Sequence, residues 1–126
     1  KNMPRSDDTV YRSLKRLYNL GIYPEWWKLE PMSAAQWKNV DALVAERDPH
    51  CRGVLLLGLN APMDTLAKGF VDAQASKTCR GFAVGRTLFQ DPAAAWLAGT
   101  SDDAVLKQQV RANFERLIDL WKQGRS

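Results

Sequence analysis

Three stretches of the chain carry residue types that do chemistry. In Glu25-Trp26-Trp27-Lys28-Leu29-Glu30 a lysine lies between two tryptophans and a carboxylate. An extended conformation would put Trp26, Lys28 and Glu30 on one face and Trp27 and Leu29 on the other. A lysine withdrawn from water in such company holds its proton less tightly, and the neutral amine attacks carbonyls to form an imine. Glu30 acts in two directions. Its charge raises the lysine pKa, and as a proton shuttle it helps dehydrate the carbinolamine. The plainer reading is a Lys28–Glu30 ion pair, or a lysine whose ammonium reaches the rim.

The second stretch is Gly58-Leu59-Asn60-Ala61-Pro62, where a glycine ahead of a helix start would offer backbone N–H groups to an anion. An ordinary strand-to-helix turn has the same look. The third is Gly85-Arg86-Thr87, in which the glycine permits close approach and the guanidinium is a fork for phosphate. Its rival is an ion pair between Arg86 and Asp91. If the strands before these glycines are neighbours, Gly58 and Gly85 reach one phosphate. His50, the one histidine, precedes a strand and is expected at the surface, at the opposite end from these glycines. Cys51 and Cys79 open successive strands, and with His50 they lack any usual zinc spacing, so no metal is expected. Two reduced thiols suit a cytoplasmic protein. No nucleophile-elbow, phosphate-loop, dinucleotide-binding or zinc-protease motif occurs.

These residues need elements to hold them. Apolar spacing predicts a helix over 8–20 with Val10, Leu14, Leu17 and Tyr18 on one face, capped by Asp7 or Asp8 and ended by Gly21. A short strand over 25–30 stops at Pro31. Ser33 caps a helix over 34–46 whose stripe is Trp37, Val40 and Val44. The run 53–59 reads as a strand buried on both faces, and Asn60 caps the next helix, which runs to about residue 75 with Pro62 in its first turn. The third strand is expected over 81–85, a short helix over roughly 91–98 closed by Gly99, and a long helix from Ser101 or Asp102 to about 122. Its stripe is Leu106, Val110, Phe114, Leu117, Ile118 and Trp121. Cys51-Arg52-Gly53 is echoed 28 residues on by Cys79-Arg80-Gly81, the length of one strand-plus-helix unit. The fold class is therefore α/β with parallel strands. Three such strands leave two open edges, and strands apolar on both faces need cover on both, so we expect a part of a larger α/β structure, with self-association of this piece alone.

Composition is consistent with that reading. The 126 residues are 45% hydrophobic and 25% charged, which excludes collagen, a disordered tail and a coiled coil. No apolar run nears the roughly 18 residues of a membrane span, and no apolar segment follows the N-terminal Lys1-Asn2-Met3-Pro4-Arg5, so neither a membrane nor a signal peptide is expected. The net charge of +4 suits an anionic ligand, but the cations are dispersed, and the five tryptophans are expected on buried faces, so no nucleic acid is expected.

The segments Tyr18 to Pro31, Arg52 to Leu59 and Gly81-Phe82-Ala83-Val84-Gly85-Arg86-Thr87-Leu88-Phe89 together resemble a known pattern. It is the C-terminal half of the domain fused behind the sugar kinase in bacterial 5-dehydro-2-deoxygluconokinase proteins of myo-inositol catabolism, and it covers nearly the whole chain. That domain is similar to class I aldolases. The resemblance implies the last three βα units of a TIM (β/α)8 barrel, with residues 1–126 as a partial barrel whose remainder and kinase domain lie elsewhere in a parent chain. It implies Lys28 as the Schiff-base lysine and Gly58, Gly85 and Arg86 as phosphate holders. Glu30 is the acid/base candidate near Lys28, the ligand is a phosphorylated keto sugar, and no cofactor is needed. The alternative it leaves is a non-catalytic domain that binds a sugar phosphate or assembles a kinase.

Overall fold

The computed structural model describes residues 5–124. The chain runs α1 (Thr9–Asn19), β1 (Trp26–Leu29), α2 (Ala34–Arg47), β2 (Gly53–Leu57), α3 (Met63–Ala73), β3 (Cys79–Ala83), α4 (Arg86–Leu97) and α5 (Asp103–Gln123). The three strands form one parallel sheet in the order β1-β2-β3. This is an α/β fold whose strands are joined by helical crossovers, as the strand–helix alternation requires.

Register decides which side chains share a face. Trp27 pairs with Val54, and Lys28 with Leu55. Val54 pairs with Cys79 and Leu55 with Gly81, so Arg80 is the extra residue at an irregularity in β3. Trp27, Val54, Leu56 and Cys79 thus point one way, and all four are buried in the core with Leu66, Phe70, Trp37, Val40 and Leu117 from the helices. Trp26, Lys28, Leu55, Leu57 and Ala83 point the other way and are exposed or half-buried. The helices of this chain cover one face of the sheet and leave the other open.

Several helix ends follow from local chemistry. Ser33 caps α2 by accepting from Gln36 N, and Asp102 caps α5 by accepting from Val105 N at 2.9 Å. Gly21 and Gly99 end α1 and α4 at φ +80° and +71°, where a side chain would be strained. Other ends differ from the sequence expectation. Asp8 gives α1 no side-chain cap; it accepts instead from Ser6 Oγ. β3 begins two residues earlier than the apolar run suggests, because Cys79 pairs with Val54. α4 begins at Arg86 rather than near 91, with Pro92 inside it. Proline has no N–H for the carbonyl four residues back. That carbonyl, on Leu88, accepts from Asn113 Nδ2 of α5 at 2.8 Å. The stripe on α5 is mostly half-buried, with Leu117 its one buried residue and Phe114 46% exposed.

Two polar devices hold the frame. Asp41 on α2 receives the α3–β3 connection. Its carboxylate accepts from Ser76 Oγ at 2.7 Å, Lys77 N at 2.6 Å, Thr78 N at 3.1 Å and the Thr78 hydroxyl. In the core, Trp27 Nε1 donates to the Tyr18 hydroxyl at 2.8 Å, and that hydroxyl donates to the buried Asp48 at 3.5 Å. Burial above all, then the charges of Asp48 and Cys51, push the Tyr18 phenol up to about 12 against the pull of the Trp27 N–H.

Replacing Asp41 by alanine removes an acceptor from four donors, two of them backbone N–H groups, and Thr78 N keeps a second acceptor, the Ser76 hydroxyl at 3.2 Å. We expect Asp41→Ala to lower the unfolding free energy by about 3 kcal/mol in a denaturant titration; a loss below about 1 kcal/mol would show that water replaces the carboxylate. Tyr18 gives a pH test. Its folded pKa lies above the ordinary value near 10, so the unfolded chain ionises first. The stability it contributes is complete below pH 10 and is lost as pH climbs through about 12. Tyr18→Phe should therefore cost about 1–3 kcal/mol at neutral pH, and its deficit relative to the unaltered chain should shrink between pH 10 and 12.

Candidate functional site

Parallel sheets offer their ligands the carboxyl ends of the strands, where loops and helix N-termini converge. Here those ends enclose a cavity of about 350 Å³ whose lining includes Lys28, Gly58, Asn60, Gly85, Arg86 and Phe89. Four of the five residues singled out by sequence thus share one cavity. Its described lining holds two cations, Lys28 and Arg86, and no carboxylate. The local potential there is positive and favours an anion over a cation.

Each residue has a local reason for its place. Lys28 projects from β1 onto the open sheet face, and its side chain is exposed among the described residues rather than withdrawn from water. Arg86 is the first residue of α4, and Gly85, its N-cap, supplies no side-chain acceptor to the first-turn N–H groups. Thr87 Oγ1 donates to Ala61 O at 2.9 Å, tying the start of α4 to the β2–α3 loop beside Gly58. No ion pair joins Arg86 to Asp91 among the described residues; the two meet only along a neighbouring cavity lined also by Thr87, Gln90 and Asn113. The glycines have packing roles as well. A Cβ on Gly58 would meet the Val84 methyls at 3.0 and 3.1 Å, and one on Gly85 would meet Phe89 at 3.3 Å.

The β2–α3 loop departs from expectation. Asn60 is not a helix cap. Leu59 and Asn60 both adopt positive φ, 49° and 62°, and Ala61 N donates to Gly58 O at 2.8 Å. This closes a tight turn of the left-handed kind, and α3 starts only after Pro62. Asp64 in the first turn of α3 disfavours an anion there. The one usable helix N-terminus at the cavity is that of α4. A leucine in the left-handed region costs about 1–2 kcal/mol, a strain held at the cavity wall.

Glu30, the fifth residue, lies on the other side of Lys28. Its carboxylate is gripped by the Arg5 guanidinium, Nη1 at 2.8 Å and Nη2 at 3.1 Å. The fork displaces the Lys28–Glu30 pair that the sequence suggests. Lys28, Glu30 and Arg5 border a second cavity of about 380 Å³, closed by the start of α1. The sequence carries no signal for Arg5, which lies 25 residues before its partner.

The remaining candidates lie elsewhere. His50 is exposed ahead of β2, at the far end of the strands. Cys51 is half-buried, and Cys79 is buried with its thiol donating to the Gly81 carbonyl at 3.8 Å. Burial raises the Cys51 pKa, a backbone hydrogen bond with Gly53 opposes it, and the Asp48 charge adds to it. Two tryptophans depart from the buried faces expected of them: Trp26 is 45% and Trp96 43% exposed. Trp96 Nε1 donates to Asp103 at 2.7 Å. No helix among the described residues is long and apolar enough to cross a membrane.

The model of the family described as "Uncharacterized protein conserved in bacteria (DUF2090)" matches residues 1–125. No curated protein and no solved structure matches the chain.

Leu59 gives the prediction for this site. Asparagine tolerates left-handed backbone better than leucine, and Leu59 is 55% exposed, so little burial is lost. We expect Leu59→Asn to raise the unfolding free energy by about 1 kcal/mol; a destabilised variant would mean that the leucine side chain is held by packing at the cavity wall.

Proposed function

The chain belongs to the DUF2090 family of bacterial proteins, and on that premise we propose that it forms the sugar-phosphate side of an aldolase-like site, with Lys28 as the imine-forming amine. The observation that carries the reading is the shared cavity of Lys28, Gly58, Gly85 and Arg86 at the carboxyl ends of three parallel strands. The phosphate of a phosphorylated ketose lies against the N-terminus of α4, with the Arg86 guanidinium as its fork and the two glycines leaving room for its oxygens. The ketone faces Lys28. Neutral Nζ adds to the carbonyl carbon, the carbinolamine loses its hydroxyl as water after taking up a proton, and the protonated imine results. As the hydroxyl on the carbon beyond the breaking bond gives up its proton, the C–C bond breaks, its electron pair passes into the protonated imine to give an enamine, and the other fragment leaves as an aldehyde. The enamine then takes up a proton at carbon, and water hydrolyses the resulting imine to free the amine. Glu30, two residues on, is the acid/base candidate within this chain, and it must leave the Arg5 fork to carry a proton.

This chemistry needs a dry lysine. The open sheet face gives the place for a cover, and a closed (β/α)8 barrel provides one, with this chain as its last three units. A kinase domain and the rest of the barrel in a parent chain belong to the same proposal, as does self-association of the 126-residue piece through its open edges.

A second reading rests on two observations: Lys28 is exposed, and Glu30 is engaged by Arg5. It keeps the phosphate site and drops the catalysis, leaving a sugar-phosphate-binding or assembly domain.

Borohydride trapping on the natural full-length protein separates the two. With dihydroxyacetone phosphate, the aldolase reading expects an irreversible adduct on the Lys28 peptide by mass spectrometry, abolished in Lys28→Ala. No adduct, together with phosphate binding that survives Lys28→Ala and fails in Arg86→Gln, selects the binding domain. Normal phosphate binding by Arg86→Gln would remove the site itself.

A further inference from the structure

Two helices of unequal length lie side by side behind the sheet. α3 has 11 residues and α5 has 21. Their C-terminal ends coincide: the Phe70 and Trp121 rings meet edge to face with centroids 5.3 Å apart, and a Cβ on Gly124 would meet Gln74 Nε2 at 2.6 Å. The first half of α5 therefore runs past the start of α3 by roughly ten residues, about 15 Å. α3 starts after the loop that lines the Lys28 cavity, so this overhang stands out beyond the carboxyl ends of the strands. α4 lies against it. Asn113 Nδ2 donates to Leu88 O at the foot of the hairpin, and Trp96 Nε1 donates to Asp103 at its tip. Strands and helices that covered the open sheet face would flank β1 and β3, below this hairpin.

Helical spacing puts Arg86, Phe89, Ala93, Trp96 and Leu97 within about 100° of arc, beside the arc on which Leu88 and Pro92 are buried. Phe89 is 46%, Trp96 43% and Leu97 77% exposed. The stripe begins at the cavity, which Arg86 and Phe89 line, and ends at the tip. Large apolar groups stand on either side of one small residue, so the stripe is complementary to itself. Two copies laid antiparallel about a two-fold axis at Ala93 would bring Phe89 of each against Leu97 of the other, and the alanines let the backbones close in. Charge follows the same symmetry. The tip carries Asp102 and Asp103, with no Lys or Arg between Arg86 and Lys107. The foot has Arg86, with Lys28 in the same cavity and no carboxylate in its described lining. An antiparallel pair sets each acidic tip against the other's cationic foot, whereas a parallel pair sets like against like. Trp96 is already held by Asp103, so docking takes little rotamer freedom from it.

We propose that the α4–α5 hairpin docks on the same hairpin of a second copy, antiparallel, with Phe89, Trp96 and Leu97 buried at the contact. Asp102 and Asp103 of each copy then stand beside Arg86 of the other, at the mouth of its cavity. This interface depends on neither the imine nor the phosphate.

Sedimentation velocity on the natural full-length protein tests it. The unaltered protein should be a dimer at micromolar concentration. Leu97→Lys should weaken the dimer about tenfold or more, while Val71→Lys, at an exposed apolar position on α3 outside the stripe, should leave it within about twofold. Both side chains are exposed, so both variants should fold, and a thermal melt checks it. Arg86→Glu and Asp103→Lys should each weaken the dimer about tenfold alone. An equimolar mixture of those two variants should return to within about threefold of the unaltered affinity, because both contacts of the mixed pair again join unlike charges. A monomer throughout, a dimer that Leu97→Lys leaves intact, or an equal loss in Val71→Lys overturns the interface. A mixture as weak as its two components overturns the antiparallel arrangement, and the proposal with it.

Discussion

The rest of the structure depends on one constraint: three parallel strands carry apolar side chains on both faces, and this chain has helices for only one. Val54 and Leu56 of the central strand are sealed under helices, while Leu55 and Leu57 beside them point onto the open face. Parallel sheets are stable when both faces are covered. The uncovered face is also the face from which Lys28 projects. The feature that leaves this sheet face open therefore also exposes Lys28, the residue proposed as the imine-forming amine. A cover over this face would bury Trp26, complete the core and dry the lysine together.

Polar groups fix what the apolar core leaves loose. The Asp41 carboxylate sets where β3 begins, at the end of the sheet away from the cavity. The Trp27–Tyr18–Asp48 chain sets how α1 lies against β1. Because α1 carries the Arg5 segment at its start, the position of that guanidinium beside Glu30 rests on a hydrogen bond buried in the core. At the cavity itself the tie is Thr87 to the Ala61 carbonyl, which locks two loops together across neighbouring strands.

What could be read from sequence was what depends on local pattern. Alternation along Trp26 to Glu30 gave the two faces of β1, and Ser33 and Asp102 announced their helices by residue type. Gly58, Gly85 and Arg86 were legible because each follows an apolar run. What escaped depends on contacts distant in sequence. The start of α4 was misplaced because Pro92 looks like a helix-start residue, and nothing local shows that Asn113 serves the carbonyl it orphans. The turn at Leu59-Asn60 was missed because leucine is a poor left-handed residue, and the strain is legible only in the backbone. The Arg5–Glu30 fork and the four bonds to Asp41 join residues 25 to 37 positions apart, beyond any period a single sequence displays.

The handover at Pro92 has a consequence for the order of assembly. A helix interrupted by proline is a poor helix in isolation. Here the missing donor comes from α5, which leaves the ribosome after α4. In the nascent chain α4 therefore lacks its full bonding until α5 has been made and docked. The Gly85-Arg86 end of α4 lines the cavity shared with Lys28, so that wall takes its final place only after α5 has docked.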